Sequence, residues 1–216
     1  MNNYIVFSDF DGTITKEDTI CKIMSHFAPE HWKKVWDDIF NKRITISEGV
    51  AKLFSMIPSS KKDEIIKFVL ENVPIREGFK ELLLFLKSKN IPFIVISGGL
   101  DFYIYPLLEP YKDLITKIYC NQADFSGEYI KIKFIYECDP LCDDNDCGMC
   151  KISVIRKYTG TKIYIGDSIT DINAAKVTDI IFARGLFAKE LKKNSIPFYE
   201  YDNFYQVKAK MEEILK

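Results

Sequence analysis

Three apolar runs in this chain end in acidic or hydroxyl side chains, and a fourth stretch crowds cysteines together. The first run is Tyr4-Ile5-Val6-Phe7-Ser8-Asp9-Phe10-Asp11-Gly12-Thr13-Ile14-Thr15. It starts as a β-branched strand pattern suited to burial on both faces and turns polar at Asp9. If strand pairing ends there, Asp9 and Asp11 project beyond the C-terminal edge, where ligands sit in open α/β sheets. Gly12 allows a turn with positive φ and brings backbone N–H groups to the same place. Carboxylates beside amide donors suit a hard divalent cation together with a phosphate. Taken alone, the stretch reads equally as a strand followed by an acidic helix cap.

The pattern recurs. Residues 91–96 form an apolar strand that ends in Ser97-Gly98-Gly99, a hydroxyl and two glycines able to wrap an anion. Residues 162–165 run into Gly166-Asp167-Ser168-Ile169-Thr170-Asp171. Parallel strands of one sheet deliver their C-terminal tips to a common edge, so the third recurrence weighs against unrelated helix caps. Asp101 reads as the N-cap of the helix after Ser97. Lys151 opens a helix expected to reach 158, where the macrodipole disfavours a cation and some other role is needed.

Cys138, Cys142, Cys147 and Cys150 fall within thirteen residues. Such clustering suggests a tight tetrahedral zinc site; two local disulfides or unliganded thiols are the alternatives. Asp139, Asp143, Asp144 and Asp146 make the loop acidic, which disfavours a nucleic-acid module, and their spacing is not that of an EF-hand.

These residues need elements to hold them. Residues 16–76 carry helical periodicity at 17–27, 30–40, 46–57 and 61–70, with Pro29 and Pro58 as breaks and Ser60 with Asp63 or Glu64 resembling a capping box. The expected organisation is an α/β core of residues 1–15 and 77–216 with an inserted helical cap over 16–76. The core continues with a helix at 76–89, a short strand at 119–121, and a β-hairpin at 123–125 and 129–135 leading into the cysteine loop. A strand at 180–183, a helix at 187–194, a short strand near Phe198 and a helix at 204–215 complete it.

Phe27, Trp32, Trp36, Phe40, Phe54 and Met56 are candidates to line a substrate pocket under the cap, although packing between cap helices is the commoner fate of such residues. His26 and His31 read as surface or capping side chains.

The 30 basic residues against 31 acidic ones remove any electrostatic reason to expect nucleic acid or an anionic membrane as partner. A small soluble substrate fits better. No apolar run approaches the roughly 20 residues that cross a bilayer and no basic leader precedes Tyr4, so a cytoplasmic location with reduced or metal-bound cysteines is expected. The oligomeric state is not readable.

Asp9-Phe10-Asp11-Gly12-Thr13-Ile14-Thr15 resembles the first motif of the haloacid dehalogenase superfamily. The resemblance implies a Rossmann-like parallel sheet with an inserted cap, in which Asp9 is a nucleophile and Asp11 a general acid and base. It implies that Ser97 binds phosphate, with Gly98 and Gly99 beside the substrate, and that Lys151 neutralises charge. Asp9, the Asp11 carbonyl and Asp167 would hold Mg2+, while Asp171 orients water or Lys151.

An acid at the second motif position points to phosphatase or mutase work. Ile75-Arg76-Glu77-Gly78-Phe79, Ile96-Ser97-Gly98-Gly99-Leu100-Asp101-Phe102 and the cysteine loop before Lys151 resemble the methionine-salvage phosphatases of the superfamily. Phosphoserine and phosphoethanolamine/phosphocholine phosphatases share the core and a cap of this kind. An apolar cap suits a methylthio group and, by cation–π contact, a trimethylammonium group. A metal-stabilised binding protein without turnover is the alternative from another class, and the intact motif set counts against it.

Overall fold

The computed structural model describes residues 3–143 and 146–215. Asp144, one of the acids of the cysteine loop, lies outside the described residues. Seven strands form one sheet: β1 (Tyr4–Ser8), β2 (Phe93–Leu100), β3 (Lys117–Asp124), β4 (Lys131–Lys133), β5 (Thr161–Gly166), β6 (Ile180–Ala183) and β7 (Tyr199–Glu200). Their order is β4-β3-β2-β1-β5-β6-β7, parallel throughout except for β4. The fold is α/β, with the order reversing at β1, and such a reversal opens a crevice beyond the strand ends.

Alternation along β1 feeds two cores. Ile5 and Phe7 pack with Val154, Ile155, Phe187 and Leu191 on one face. Val6 packs on the other with Phe79, Leu82, Leu83 and Phe204. The helices that supply these residues are α5 (Phe79–Ser88), α7 (Lys151–Ile155), α8 (Gly185–Lys193) and α9 (Phe204–Ile214), while α6 (Asp101–Leu108) follows β2.

Between β1 and β2 the chain forms α1 (Thr19–Phe27), α2 (Trp32–Phe40), α3 (Ile46–Phe54) and α4 (Lys62–Asn72). Ile23, Met24, Leu53, Phe54, Ile65 and Val69 of these helices belong to the same apolar cluster as Val6 and Phe79. The inserted helices therefore share a continuous core with the sheet. Asp18 caps α1 by accepting from the Cys21 N–H, and Thr45 caps α3 by accepting from the Glu48 N–H.

Several boundaries differ from the sequence reading. The expected Ser60 capping box does not form; a 3-10 turn at Ser59–Lys61 precedes α4, whose N-cap is Lys61 without a side-chain bond. The cause is tertiary: the Ser59 N–H donates to Glu128 O and Pro58 bridges Tyr129, which shifts the helix start. Asp101 is the first residue of α6 rather than its N-cap, because β2 pairing continues to Leu100 against Asn121. Its Oδ1 instead accepts from the Ala123 N–H at 3.0 Å. The strand expected over 119–121 is the longer β3, which pairs with β2 on one edge and closes the hairpin with β4 on the other.

The two chain segments that leave and re-enter the sheet are tied together. Thr15 and Ile75 form an antiparallel bridge, and the Arg76 N–H donates to Ile14 O at 2.8 Å. The buried Arg76 guanidinium then spans the loop after β1, donating to Thr13 O at 2.8 Å, Gly12 O at 2.6 Å and Thr15 O at 3.0 Å. No neutral side chain of similar length supplies donors in this fork. Arg76→Met removes this donor from the carbonyls of Thr13 and Thr15 and leaves Gly12 O with Arg184 alone, and is expected to lower the unfolding free energy by about 2–4 kcal/mol. Urea denaturation measures it, and a loss inside the surface-substitution range of about 0.5 kcal/mol would show that Arg76 does not hold the loop.

Candidate active site

Parallel register sets the level of every side chain at the sheet edge. Ser8 is level with Val95 of β2 and Ile165 of β5, so Asp9, Ser97 and Asp167 emerge within about one residue of each other. The Asp9 N–H still donates to Ile165 O at 2.9 Å, which fixes Asp9 as the last residue held by the sheet. In β2 the pairing skips from Ile96–Tyr119 to Leu100–Asn121, so Ser97-Gly98-Gly99 bulges out of the ladder. The Asn121 side-chain amide holds this bulge by donating to Gly98 O at 3.0 Å.

Lys151 is the one ammonium inside the group. Its Nζ lies 2.6 Å from Asp9 Oδ1 and also donates to Asp171 Oδ1, and all three side chains are less than a tenth exposed. Burial works against the lysine charge, but Asp171 and Asp9 outweigh it and hold the ammonium above its ordinary pKa. Asp171 is fully engaged: Oδ1 also accepts from the Tyr164 hydroxyl at 2.5 Å, and Oδ2 accepts from the Asp167 and Ser168 N–H groups at 2.9 Å each. The structure thus places Asp171 against Lys151.

Asp167 Oδ1 accepts from the Thr13 hydroxyl at 2.8 Å. Gly12 makes room for its other oxygen: φ is +81°, and a Cβ there would sit 2.5 Å from Asp167 Oδ2. Asp11 Oδ2 accepts from Ser97 Oγ at 3.2 Å and from the Tyr103 hydroxyl at 3.4 Å. A Cβ at Gly99 would lie 2.7 Å from that same oxygen, so only glycine fits there. Asp11 Oδ1 is buried with no partner within hydrogen-bond distance. Thr19 faces Asp11 from α1 and pulls its pKa back down only in part.

Burial first, then the carboxylate of Asp18, push Asp11 up to about 7. Burial and then Asp171 raise Asp167 to about 6. Asp9 is also raised, by burial, with Lys151 opposing. Carboxylate oxygens of Asp9, Asp167 and Asp171 lie within 4.8 Å of one another. Three carboxylates thus cluster at the strand ends, and two of them hold the buried ammonium of Lys151.

Sequence reasoning missed Thr13, Arg76, Tyr103, Tyr164 and Asp18. Thr13 carries a signal, since it follows the acidic pair directly; the others contribute through tertiary proximity. Most of the aromatic candidates of the cap pack against other aromatic side chains. Phe54 is buried and packs edge-on against Phe102, Phe27 against Phe68, and Trp32 against Trp36. Phe40 is 60% exposed and Met56 half-buried. Exposed His26 stacks on Phe68.

The four clustered cysteines converge as well, with all four sulfurs within 4.8 Å of one another and no disulfide among the described residues. A cavity of about 50 Å³ lies between this cluster and the sheet edge. Ile46, Gly98, Met149, Lys151, Thr170 and Asn173 help to line it.

The haloacid dehalogenase-like hydrolase profile matches residues 6–176. The chain belongs to this family and is an enzyme of its phosphatase class. It is 46% identical over 217 residues to the 2-hydroxy-3-keto-5-methylthiopentenyl-1-phosphate phosphatase of Bacillus pumilus, covering 99% of this chain and 93% of that protein. The protein of the same name from Bacillus cereus is 46% identical, covering 98% of this chain and 97% of its own. Among solved structures, phosphoserine phosphatase from T. onnurineus superimposes with a TM-score of 0.68 at 15% identity, covering 96% of this chain and 94% of that one. That likeness shows the fold.

Raised carboxylate pKa values make the metal-free protein pH-sensitive in a defined direction. A folded pKa near 7 for Asp11, against an ordinary 3.8, means that the folded state binds a proton the unfolded state has released. The resulting stability is full below about pH 4 and is lost as pH rises through 7. Relative to Asp11→Asn, the wild type in buffer free of divalent cations is expected to lose about 2–3 kcal/mol between pH 5 and pH 8. Paired denaturant titrations check this, and a difference that stays constant with pH would contradict it.

Proposed function

We propose that the chain hydrolyses a small phosphate monoester by transferring the phosphoryl group to Asp9 and then to water. The observation that carries this reading is the cluster at the strand ends, where carboxylate oxygens of Asp9, Asp167 and Asp171 lie within 4.8 Å of one another and the ammonium of Lys151 pairs with Asp9 and Asp171, with Asp11 close by on the same loop as Asp9. Such an excess of negative charge calls for a divalent cation, and hard carboxylate oxygens suit Mg2+. Asp171 has both oxygens engaged, whereas Asp9 and Asp167 each keep one outside the hydrogen bonds described. Asp9, Asp167 and the main-chain carbonyl of Asp11 would hold the ion. When bound, it supplies positive charge that offsets the phosphate dianion.

The chain's own residues divide the remaining work. An Asp9 carboxylate oxygen attacks phosphorus in line, forming a P–O bond as the bond to the leaving alkoxide breaks. Asp11 gives its proton to that alkoxide. In the second step Asp11 takes a proton from water, whose oxygen attacks phosphorus and releases Asp9 and inorganic phosphate. A pKa of about 7 suits Asp11 to both transfers. Lys151 opposes the burial that raises Asp9, orients its carboxylate and offsets charge on the phosphoryl oxygens, while Ser97 Oγ, with Gly98 and Gly99 beside it, donates to them.

We assign the substrate class from two supports: the 46% identity to the methylthiopentenyl phosphate phosphatases over nearly the whole chain, and the character of the adjoining cavity. Ile46 and Met149 supply apolar, polarisable wall beside Lys151, and among the described residues no carboxylate lines the cavity to receive an ammonium group. An uncharged tail ending in a thioether fits such a wall better than the amine of phosphoserine. The proposed substrate is 2-hydroxy-3-keto-5-methylthiopentenyl-1-phosphate, acted on in the cytoplasm.

Asp9→Asn is expected to lower kcat for Mg2+-dependent phosphate release by at least about 10⁴-fold. Undiminished turnover in that variant would remove Asp9 as nucleophile. In a panel of the methylthiopentenyl phosphate, phosphoserine, phosphocholine and phosphoethanolamine, kcat/KM is expected to be highest for the first by about 10²-fold, the scale of apolar pocket discrimination. A preference for any of the other three overturns the substrate assignment and leaves the chemistry standing.

A further inference from the structure

The cysteine loop is fastened to more of the molecule than its length suggests. Cys138 and Cys147 sulfurs lie 3.4 Å apart, Cys142 and Cys147 sulfurs 3.9 Å apart, and all four are within 4.8 Å of one another. A disulfide would bring two sulfurs to about 2.0 Å. Four thiolates at about 2.3 Å from one zinc ion in tetrahedral geometry are separated by about 3.8 Å, close to the two shorter separations and within the 4.8 Å span of the four. Cys150 is fully buried, and its sulfur accepts from the Asp139 N–H at 3.2 Å, the kind of outer hydrogen bond that orients a metal-bound thiolate.

The same loop reaches three neighbours. Asp146 accepts from Thr45 Oγ1 at 2.7 Å and from the Ser47 hydroxyl, so it sits over the first turn of α3 in the inserted helices. Asp139 takes a two-pronged bond from Arg156, at 2.8 and 2.9 Å, just past the end of α7. Asp143 pairs with Lys176 in the 3-10 helix Ile169–Val177 that contains Asp171. Cys150 is itself the N-cap of α7, whose first residue is Lys151.

We propose that Cys138, Cys142, Cys147 and Cys150 bind one structural zinc ion, and that this site clamps α3 of the inserted helices to the helix that carries Lys151. Zn2+ displaces the thiol protons, which pass to solvent, and soft sulfur donors separate it from the oxygen-lined site at the strand ends. Zinc content is independent of turnover, so this proposal and the phosphatase reading fail separately.

Protein purified without chelator is expected to contain about one zinc per chain by plasma mass spectrometry. Exchange with Co2+ should give thiolate-to-cobalt charge-transfer absorption. The double variant Cys142→Ser/Cys147→Ser should lose the metal while Asp167→Asn keeps it. Native protein should show no more than two of its six cysteines reactive toward a thiol reagent. Zinc that leaves with Asp167→Asn and stays in the cysteine variant would place it at the carboxylates and overturn the proposal. So would stoichiometric absence of zinc with the clustered thiols freely reactive, or iron in its place.

If the cysteine variant does not fold, the cobalt spectrum and thiol count of the wild type decide. The clamp itself is read by hydrogen exchange. Stripping the metal should raise exchange at the start of α3 and in α7 at least about tenfold. Unchanged exchange there would leave a zinc site that fastens nothing.

Discussion

The contact on which the rest of this structure depends is the buried ammonium of Lys151 held between Asp9 and Asp171. Removing three charges from water is costly, and geometry and further hydrogen bonds must repay that cost. Asp171 shows how: one oxygen takes Lys151 and Tyr164, the other two backbone N–H groups, so its charge is fully satisfied. Asp9 is not, and neither is Asp11. Full satisfaction on one side of the lysine and partial satisfaction on the other separates the two acids: both oxygens of Asp171 are engaged, and Asp9 keeps one outside the hydrogen bonds described.

Holding that arrangement requires rigid supports that meet at one edge. The sheet delivers Asp9, Ser97 and Asp167 through register: Asp9 and Asp167 stand just beyond the last paired residues of β1 and β5, and Ser97 opens the bulge within β2. Lys151 comes from elsewhere, on a helix of only five residues that could not fix itself by propensity. Tertiary contacts do that work, through Val154 and Ile155 against Phe7 on one side and the cysteine loop on the other. The loop after β1 has its own support in Arg76, which lies where the inserted helices return to the core. A displacement of those helices therefore pulls on the segment that carries both candidate catalytic acids.

What could be read in the sequence follows from how local each signal is. Each sheet-edge residue follows an apolar run directly, so its position at a strand end is written within about six residues of chain. The cysteines are neighbours in sequence and meet for that reason. Arg76, Tyr103 and Tyr164 carry no local mark, because an arginine after proline or a tyrosine in a strand has many fates. Only the fold brings Tyr164 to Asp171 or Arg76 to Gly12. The Ser60 misreading has the same origin: a sound local cap pattern lost to the pairing of Pro58 and Ser59 with the hairpin. The cap aromatics were legible as apolar and not as neighbours, which is why Phe54 belongs to the core beside Phe102 rather than to a substrate wall.

The cavity beside Lys151 joins these points. One wall is Ile46 at the start of α3, another is Met149 and the cysteine loop, and the floor is Gly98 with Lys151. The loop that adjoins the lysine thus also shapes this cavity, and the helix facing it is held by Asp146 of that same loop. In the proposed reaction, charge neutralisation and selection of the tail would be linked through thirteen residues of chain. A tail that did not fit between Ile46 and Met149 would push on the loop that adjoins Lys151 and its ion pair with Asp9. In such a site discrimination enters the chemical step as well as binding, since a misplaced lysine weakens stabilisation of the transferring group more than it weakens affinity.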